Sequence, residues 1–281
     1  MTHYADLHLH TTASDGSLAP AEVVDRAAEI GLRVIAITDH DTVQGIEDAQ
    51  QRGQEVGVQV IPGIELSVRS DSEEVHLLGY GIDVNDPRLH AHLENFQADR
   101  LRRVERMVER LGELGYPLTV SEVLVAAGDG SPGRPHVARV LVDKGYFKSI
   151  SDVFDELLKE GRPGYVPRRR LSLAEGVALI HQAGGLAVCA HPGLLKKPDE
   201  VLQTLVTVGL DGVEVIHSEH DQADRERFAK FAEEYGLLRT GGSDCHGPGV
   251  KREMFLGRYT IPKEWVEALL AKWQERQSRT E

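Results

Sequence analysis

The stretch ADLHLHTTASDG (5–16) sets two histidines one residue apart on a short apolar run and follows them with an aspartate in a turn. Successive side chains of a strand alternate between its faces, so His8 and His10 point the same way and can grip one ion. Gly16 permits the tight backbone that would swing Asp15 back over the strand end, although SDGSLAPAEV reads equally well as the entry to a helix. GGSDCHG (241–247) repeats the pattern: Asp244 and His246 share a face, and Cys245 between them faces away. CAHP leaves His191 at the end of a buried apolar run, where an unpaired imidazole would be costly. His40 follows the run RVIAITD (33–39), and Glu65 lies in VQVIPGIELSV (58–68).

His76 stands near the start of its strand rather than the end. ELSVRSDSEEVHL (65–77) reads as a hairpin with a polar turn around Ser70–Glu73. A two-residue turn at 70–71 sets Glu65 directly opposite His76, and a four-residue loop at 70–73 makes them diagonal neighbours. Either register brings carboxylate and imidazole to one side of the sheet. Glu65 could then bridge two ions, one shared with His8 and His10 and one with His76. A zinc ion takes four ligands at most, so a donor set of His8, His10, Asp15, His40, Glu65, His76, His191, Asp244 and His246 implies more than one ion. Imidazole with carboxylate and no thiolate suits Mn²⁺, Fe²⁺ or Zn²⁺. Sites with several such ions hydrolyse bonds at phosphorus: one ion lowers the pKa of a water, and the others bind the phosphoryl oxygens and the leaving group.

These donors need elements that bring strand ends together. The short apolar runs alternate with amphipathic stretches such as APAEVVDRAAEIG (19–31) and SLAEGVALIHQAG (172–184), which predicts an α/β fold with a mostly parallel sheet, open or closed into a barrel. In such a barrel the βα loops converge at the C-terminal ends of the strands, where most of the donors stand. From about 86 to 166 the pattern turns helical. The expected organisation is a barrel in two parts, 1–85 and 167–281, interrupted by a helical insertion at 86–166. The chain has 281 residues, 41% of them hydrophobic and 27% charged, with a net charge of −13. That balance speaks against capture of long duplex nucleic acid, which needs a basic face. No apolar run approaches the roughly 20 residues of a membrane span. The polar opening shows no signal peptide and two cysteines make no disulfide framework, so a cytoplasmic setting is expected.

The motifs DLHLHTTASDG, AITDHDTVQG, PGIELS, VHLLGYG, AHPG and GSDCHG resemble those of the PHP (polymerase and histidinol phosphatase) superfamily. Asp15, where other members often have His, and the long insertion with GRPHVARVL resemble one bacterial group in particular. Its members hydrolyse nucleoside 3′,5′-bisphosphates and trim short 5′-monophosphorylated RNA. The resemblance implies a distorted seven-stranded β/α barrel holding three divalent ions, manganese foremost, with iron or zinc also suited. It implies that His8 and His10 hold the first ion with Glu65 and Asp244, that Glu65, His76 and His191 hold the second, and that Asp15, His40 and His246 hold the third. EVIHSEH departs from relatives that carry an aromatic residue before the His and a proline after it.

Other residues are candidates for reading the substrate, expected to be a small phosphorylated nucleotide or a short RNA 5′ end. Arg134 in SPGRPH stands in a stiffened loop leading into a helix, suited to bidentate phosphate contact. His136 beside it is expected to serve the helix entry. Along the longest helix an apolar stripe runs Leu93, Gln97, Arg100, Val104, Met107, Leu111, Leu114. Arg100 interrupts its inward face and Arg103 flanks it; a salt bridge or a substrate phosphate would satisfy either. The expectation is that Arg100, Arg103 and Arg134 clasp a 5′-phosphate while the ions act on the 3′-phosphoryl bond. His217, closing DGVEVIH, either binds the reacting phosphoryl group or protonates the departing oxygen. Asp39 is expected to orient His40 or a neighbour. The basic run VPRRRLS (166–172) reads as a solvated linker. Histidinol phosphate is the alternative substrate, but its single phosphate and cationic amine give an arginine clasp little to grip. A metal-stabilised interaction module without turnover is the alternative of another class.

Overall fold

Strands and helices alternate along most of the chain because apolar β-branched runs are separated by amphipathic, Ala- and Glu-rich stretches. The computed structural model describes residues 4–128, 132–167, 170–249 and 255–280. In order the elements are β1 (Ala5–Leu9), α1 (Pro20–Glu29), β2 (Val34–Ile37), α2 (Ile46–Val56), β3 (Gln59–Arg69), β4 (Glu74–Tyr80), α3 (Pro87–Glu113), α4 (Val120–Ala127), α5 (Arg134–Asp143) and α6 (Ile150–Val153), which runs into a π-helical turn at Phe154–Leu158. There follow β5 (Leu171–Ser172), α7 (Leu173–Gln182), β6 (Leu186–Cys189), α8 (Pro198–Thr207), β7 (Gly212–Ile216), α9 (Gln222–Glu234), β8 (Leu238–Gly241) and α10 (Lys263–Thr280). They form two compact units, Met1–His90 with Arg170–Glu281, and Ala91–Arg169.

In the first unit the strands run in the order β1-β2-β3-β4-β6-β7-β8, with the short β5 paired to β3. All neighbours on the main path are parallel except β4, which is antiparallel to both β3 and β6. The path curls into the nearly closed, distorted barrel of seven strands that the motifs implied. Closure uses the segment after β8: the amide of His10 donates to the carbonyl of Cys245 at 3.0 Å. The buried Asp6 carboxylate accepts the amides of Ser243 and Gly257 at 2.9 and 3.0 Å. A Cβ on Gly242 would lie 2.4 Å from the His8 nitrogen, so only glycine lets this segment run so close to β1. An apolar cluster that includes Leu7, Val34, Ile61, Tyr80 and Val188 fills the unit, and Val266 and Leu269 of α10 pack on it. Asp211 ties α10 down further, accepting from Arg276 at 2.7 Å while His181 bonds its other oxygen at 2.7 Å.

The second unit has its own core, in which Val104, Met107 and Leu111 of α3 meet Val123, Val137, Leu141, Val153 and Leu158. The stripe read from the sequence is buried at Leu93, Val104, Met107 and Leu111 but not at Leu114, which is 41% exposed. Leu114 lies just past the end of α3 at Glu113, where the chain turns at Gly115 (φ +87). The side chain of Gln97 lies outside the described residues. Thr119 caps α4 by accepting the Glu122 amide, and Glu122 returns the bond to the Thr119 amide. His136 accepts the Gly133 amide at 3.1 Å, the helix-entry role expected of it.

Candidate metal centre

The barrel's strand ends place imidazoles and carboxylates within reach of one another. His8 lies in β1 and His10 just beyond it. His40 follows β2, where it bridges in parallel to Glu65 of β3. The β3–β4 hairpin takes the four-residue loop: Arg69 faces Glu74 and Ser67 faces His76, so Glu65 and His76 are diagonal neighbours. His191 follows β6, His217 follows β7, and Asp244 and His246 follow β8. Asp15 sits in a turn ahead of α1, whose first residue is Pro20, and so is not a helix-entry residue. Gly16 makes that turn: a Cβ there would meet the His10 carbonyl at 2.7 Å.

Four overlapping groups of donors result among the described residues: His8, His10, Glu65, Asp244; His40, Glu65, His76; His10, Asp15, His40, His246; and His8, Glu214, His217. In the first, Nε2 of His10 is 3.1 Å from both Glu65 Oε2 and Asp244 Oδ1, and Nε2 of His8 is 3.3 and 3.6 Å from the same two oxygens. Glu65 Oε1 stands 2.8 Å from Nδ1 of His76 and 3.0 Å from Nε2 of His191. Asp15 is 3.3 Å from Nε2 of His246 and 3.6 Å from Nδ1 of His10.

These residues fit divalent ions on two observations. Nε2 of His8, both ring nitrogens of His10, Nδ1 of His40 and Oε2 of Glu65 are buried without a hydrogen-bond partner, a costly state that a shared cation removes. Two donors bound to one ion at about 2.1 Å stand roughly 3.0–3.4 Å apart, close to the spacings of the first group. The ring tautomers agree. Nδ1 of His8 donates to Glu214 at 3.0 Å and Nδ1 of His246 to the Asp244 carbonyl at 2.9 Å, which leaves each Nε2 lone pair for the cluster.

The charges are mutually dependent. Burial alone would raise the Glu65 pKa, but His40, His76 and His8 around it hold it well below the ordinary carboxylate range. Burial opposes a charge on His10, yet Asp244 and Glu65 lift it to about 9; His40, most affected by burial, is pushed down to about 3. The carboxylates thus favour positive charge beside them, which divalent ions can supply. Asp41 (φ +52), His191 (φ +27) and Asp244 (φ +52) are the non-glycine residues in left-handed backbone among those described, and all three lie in this region. Such strain costs about 1–3 kcal/mol each and persists where surroundings over-determine it.

Three placements differ from the sequence reading. Asp39 does not hold His40; its carboxylate accepts Thr11 N and Oγ1, each at 2.7 Å, and Ser14 Oγ, fixing the turn that carries Asp15. Arg170 of the expected linker is not solvated: its side chain is 12% exposed and pairs with Glu74, whose other oxygen lies 3.6 Å from Nε2 of His76. Arg168 and Arg169 lie outside the described residues. Glu214, fully buried in β7 against His8, went unremarked, although a charged residue inside GVEVI already calls for a partner. In the second unit Arg103 donates to the Val166 carbonyl at 2.8 Å and lies 5.9 Å from the Tyr165 ring centre. Arg134 lies 5.9 Å from the same ring and 5.7 Å from that of Phe154, and Arg100 is over Phe96.

A nearly closed β/α barrel with overlapping imidazole–carboxylate groups at its strand ends defines a metal-dependent phosphoesterase. The family model of the PHP domain matches residues 6–86. The chain is 36% identical to a 3′,5′-nucleoside bisphosphate phosphatase of Chromobacterium violaceum, over 87% of each chain. It is 35% identical to the 5′-3′ exoribonuclease Rnm of Escherichia coli, over 100% of this chain and 98% of that one. A solved structure from Bifidobacterium adolescentis, assigned as a metal-dependent phosphoesterase, superimposes with a TM-score of 0.77 at 36% identity, covering 95% of this chain and 96% of the other. The chain belongs to the PHP family and hydrolyses phosphoester bonds. No helix among the described residues is long and apolar enough to cross a membrane.

Proposed function

We infer that this chain removes the 3′-phosphate of nucleoside 3′,5′-bisphosphates, leaving 5′-monophosphates, and trims short 5′-phosphorylated RNA in the 5′-to-3′ direction. The observation that carries this reading is the presence, in one chain, of the donor cluster and of Arg134, a half-buried cation with no carboxylate partner among the described residues. Three divalent ions, manganese foremost, are assigned to His8, His10, Glu65 and Asp244; to Glu65, His76 and His191; and to Asp15, His40 and His246. When bound, they supply an activated water at neutral pH and neutralise the phosphoryl oxygens. Arg134, with Arg100 and Arg103, holds the 5′-phosphate, and the helical segment 86–166 serves as the cap that reads the substrate.

His217 is the catalytic side chain of this reading. Its Nδ1 accepts the Glu219 amide at 3.1 Å, so the neutral ring carries its proton on Nε2, the buried nitrogen 3.4 Å from Asp244 Oδ2. Its Nε2–H is therefore suited to bind the reacting phosphoryl oxygen. Asp39 acts at one remove, as a positioning residue for the Asp15 turn. Phosphate release from adenosine 3′,5′-bisphosphate and from histidinol phosphate, side by side with Mn²⁺, tests the reading. Turnover of the bisphosphate to the 5′-monophosphate is expected. A preference for histidinol phosphate, or bound metal with no turnover of either, would overturn it.

A further inference from the structure

Glu214 belongs to a donor group with His8 and His217, yet it is not placed to hold an ion of its own. Both of its oxygens are taken. Oε1 accepts Nδ1–H of His8 at 3.0 Å, and Oε2 accepts the backbone N–H of His191 at 2.7 Å. The third member, His217, presents a proton and not a lone pair, because its Nδ1 accepts the Glu219 amide. Glu214 is fully buried, as is His8, so neither bond competes with water.

The two bonds act on two separate donors. The first fixes which nitrogen of His8 carries the proton, which leaves the Nε2 lone pair toward Glu65 and Asp244. The second holds the backbone of His191 in its left-handed conformation (φ +27, ψ +56), and this aims the ring at Glu65 Oε1, 3.0 Å away. We propose that Glu214 is a positioning residue that sets two metal donors at once, the tautomer of His8 and the backbone of His191, and thereby selectively tightens the ions they hold. This rests on the assignment of the donor cluster to divalent ions. Nothing in it involves Asp15 or His246, whose own bonds run to the Asp244 carbonyl and to each other.

Glu214→Gln separates the possibilities. With its oxygen toward His8, the amide turns its NH₂ on the His191 N–H; flipped, it donates to Nδ1 of His8 and drives the proton onto Nε2. Either way one of the two donors is lost. The measurement is titration of the metal-free wild type and variant with Mn²⁺, counting bound equivalents and dissociation constants, with circular dichroism and gel filtration confirming the fold. A folded variant should bind roughly 10–100-fold more weakly at a subset of its ions and retain wild-type affinity for the rest. Wild-type affinity at every ion, or equal weakening at all, would overturn the proposal. A wild type that binds no divalent ion would instead overturn the metal assignment beneath it. Should the variant fail to fold, long-range ¹H–¹⁵N spectra of the imidazoles in the Zn²⁺-loaded wild type decide the matter. His8 is expected with its proton on Nδ1, and a proton on Nε2 would refute the role.

Discussion

The two compact units treat charge in opposite ways. The first holds the whole of the chain's acidic surplus, and the second is close to neutral. In the first, carboxylates such as Glu65 and Asp244 are packed among histidines, and the arrangement asks for cations. In the second, Arg134 rests on neutral partners, the Leu158 carbonyl and the rings of Phe154 and Tyr165. A guanidinium held this way keeps its charge for an anion.

This division can be broken from either side. The largest effect is expected from Glu65→Gln, which removes the carboxylate that His8, His10, His40, His76 and His191 all approach. Turnover should fall by more than the roughly 100-fold that loss of an outer partner can bring. Bound metal should fall with it, measured by elemental analysis.

Next is Asp211→Asn, which loosens the α10 anchor and leaves the donors untouched. Burial works to raise the Asp211 pKa, but His181, the Ala187 amide and Arg276 outweigh it and hold it below the ordinary 3.8. A depressed carboxylate stabilises the fold above the unfolded pKa, and that contribution is lost as pH falls through the folded one. The substitution should cost about 3 kcal/mol at pH 7, and the gap to wild type should narrow below about pH 4 in denaturant melts. A gap that widened in acid would contradict the anchor.

Arg134→Ala should raise KM for the bisphosphate by about 10- to 100-fold with metal content unchanged, the loss expected of a hydrogen bond to a charged group. Loss of metal instead would show that the two kinds of site are not separate. The smallest effect is expected from Thr119→Ala, which removes the α4 cap at about 1 kcal/mol and leaves metal binding and turnover as they were.

The donors at the strand ends were legible because strand alternation and barrel topology both act on local spacing. His8 and His10 share a face whatever surrounds them. The Glu65–His76 register was not decided by sequence, since Ser70–Glu73 is polar enough for either turn; the four-residue loop forms, and the Ser70 hydroxyl accepts the Glu73 amide within it. Glu214 was missed because its partners are distant: His8 lies 206 residues away and the His191 amide 23. Asp39 is expected to orient His40 or a neighbour, and its carboxylate instead reaches back to Thr11, 28 residues earlier. Arg170 looked like part of a solvated run until β3 and β4 brought Glu74 to it. Local pattern placed the candidate donor atoms, and what holds them depends on contacts between residues far apart in the chain.

The most direct test of two-phosphate recognition compares adenosine 3′,5′-bisphosphate with adenosine 3′-monophosphate as substrates of the Mn²⁺-loaded protein, reading phosphate release as kcat/KM. The bisphosphate is expected to be favoured by about 10- to 100-fold, with the advantage lost in Arg134→Ala. Equal kcat/KM for the two in the wild type would contradict a 5′-phosphate site and leave the arginines of the second unit as structural residues.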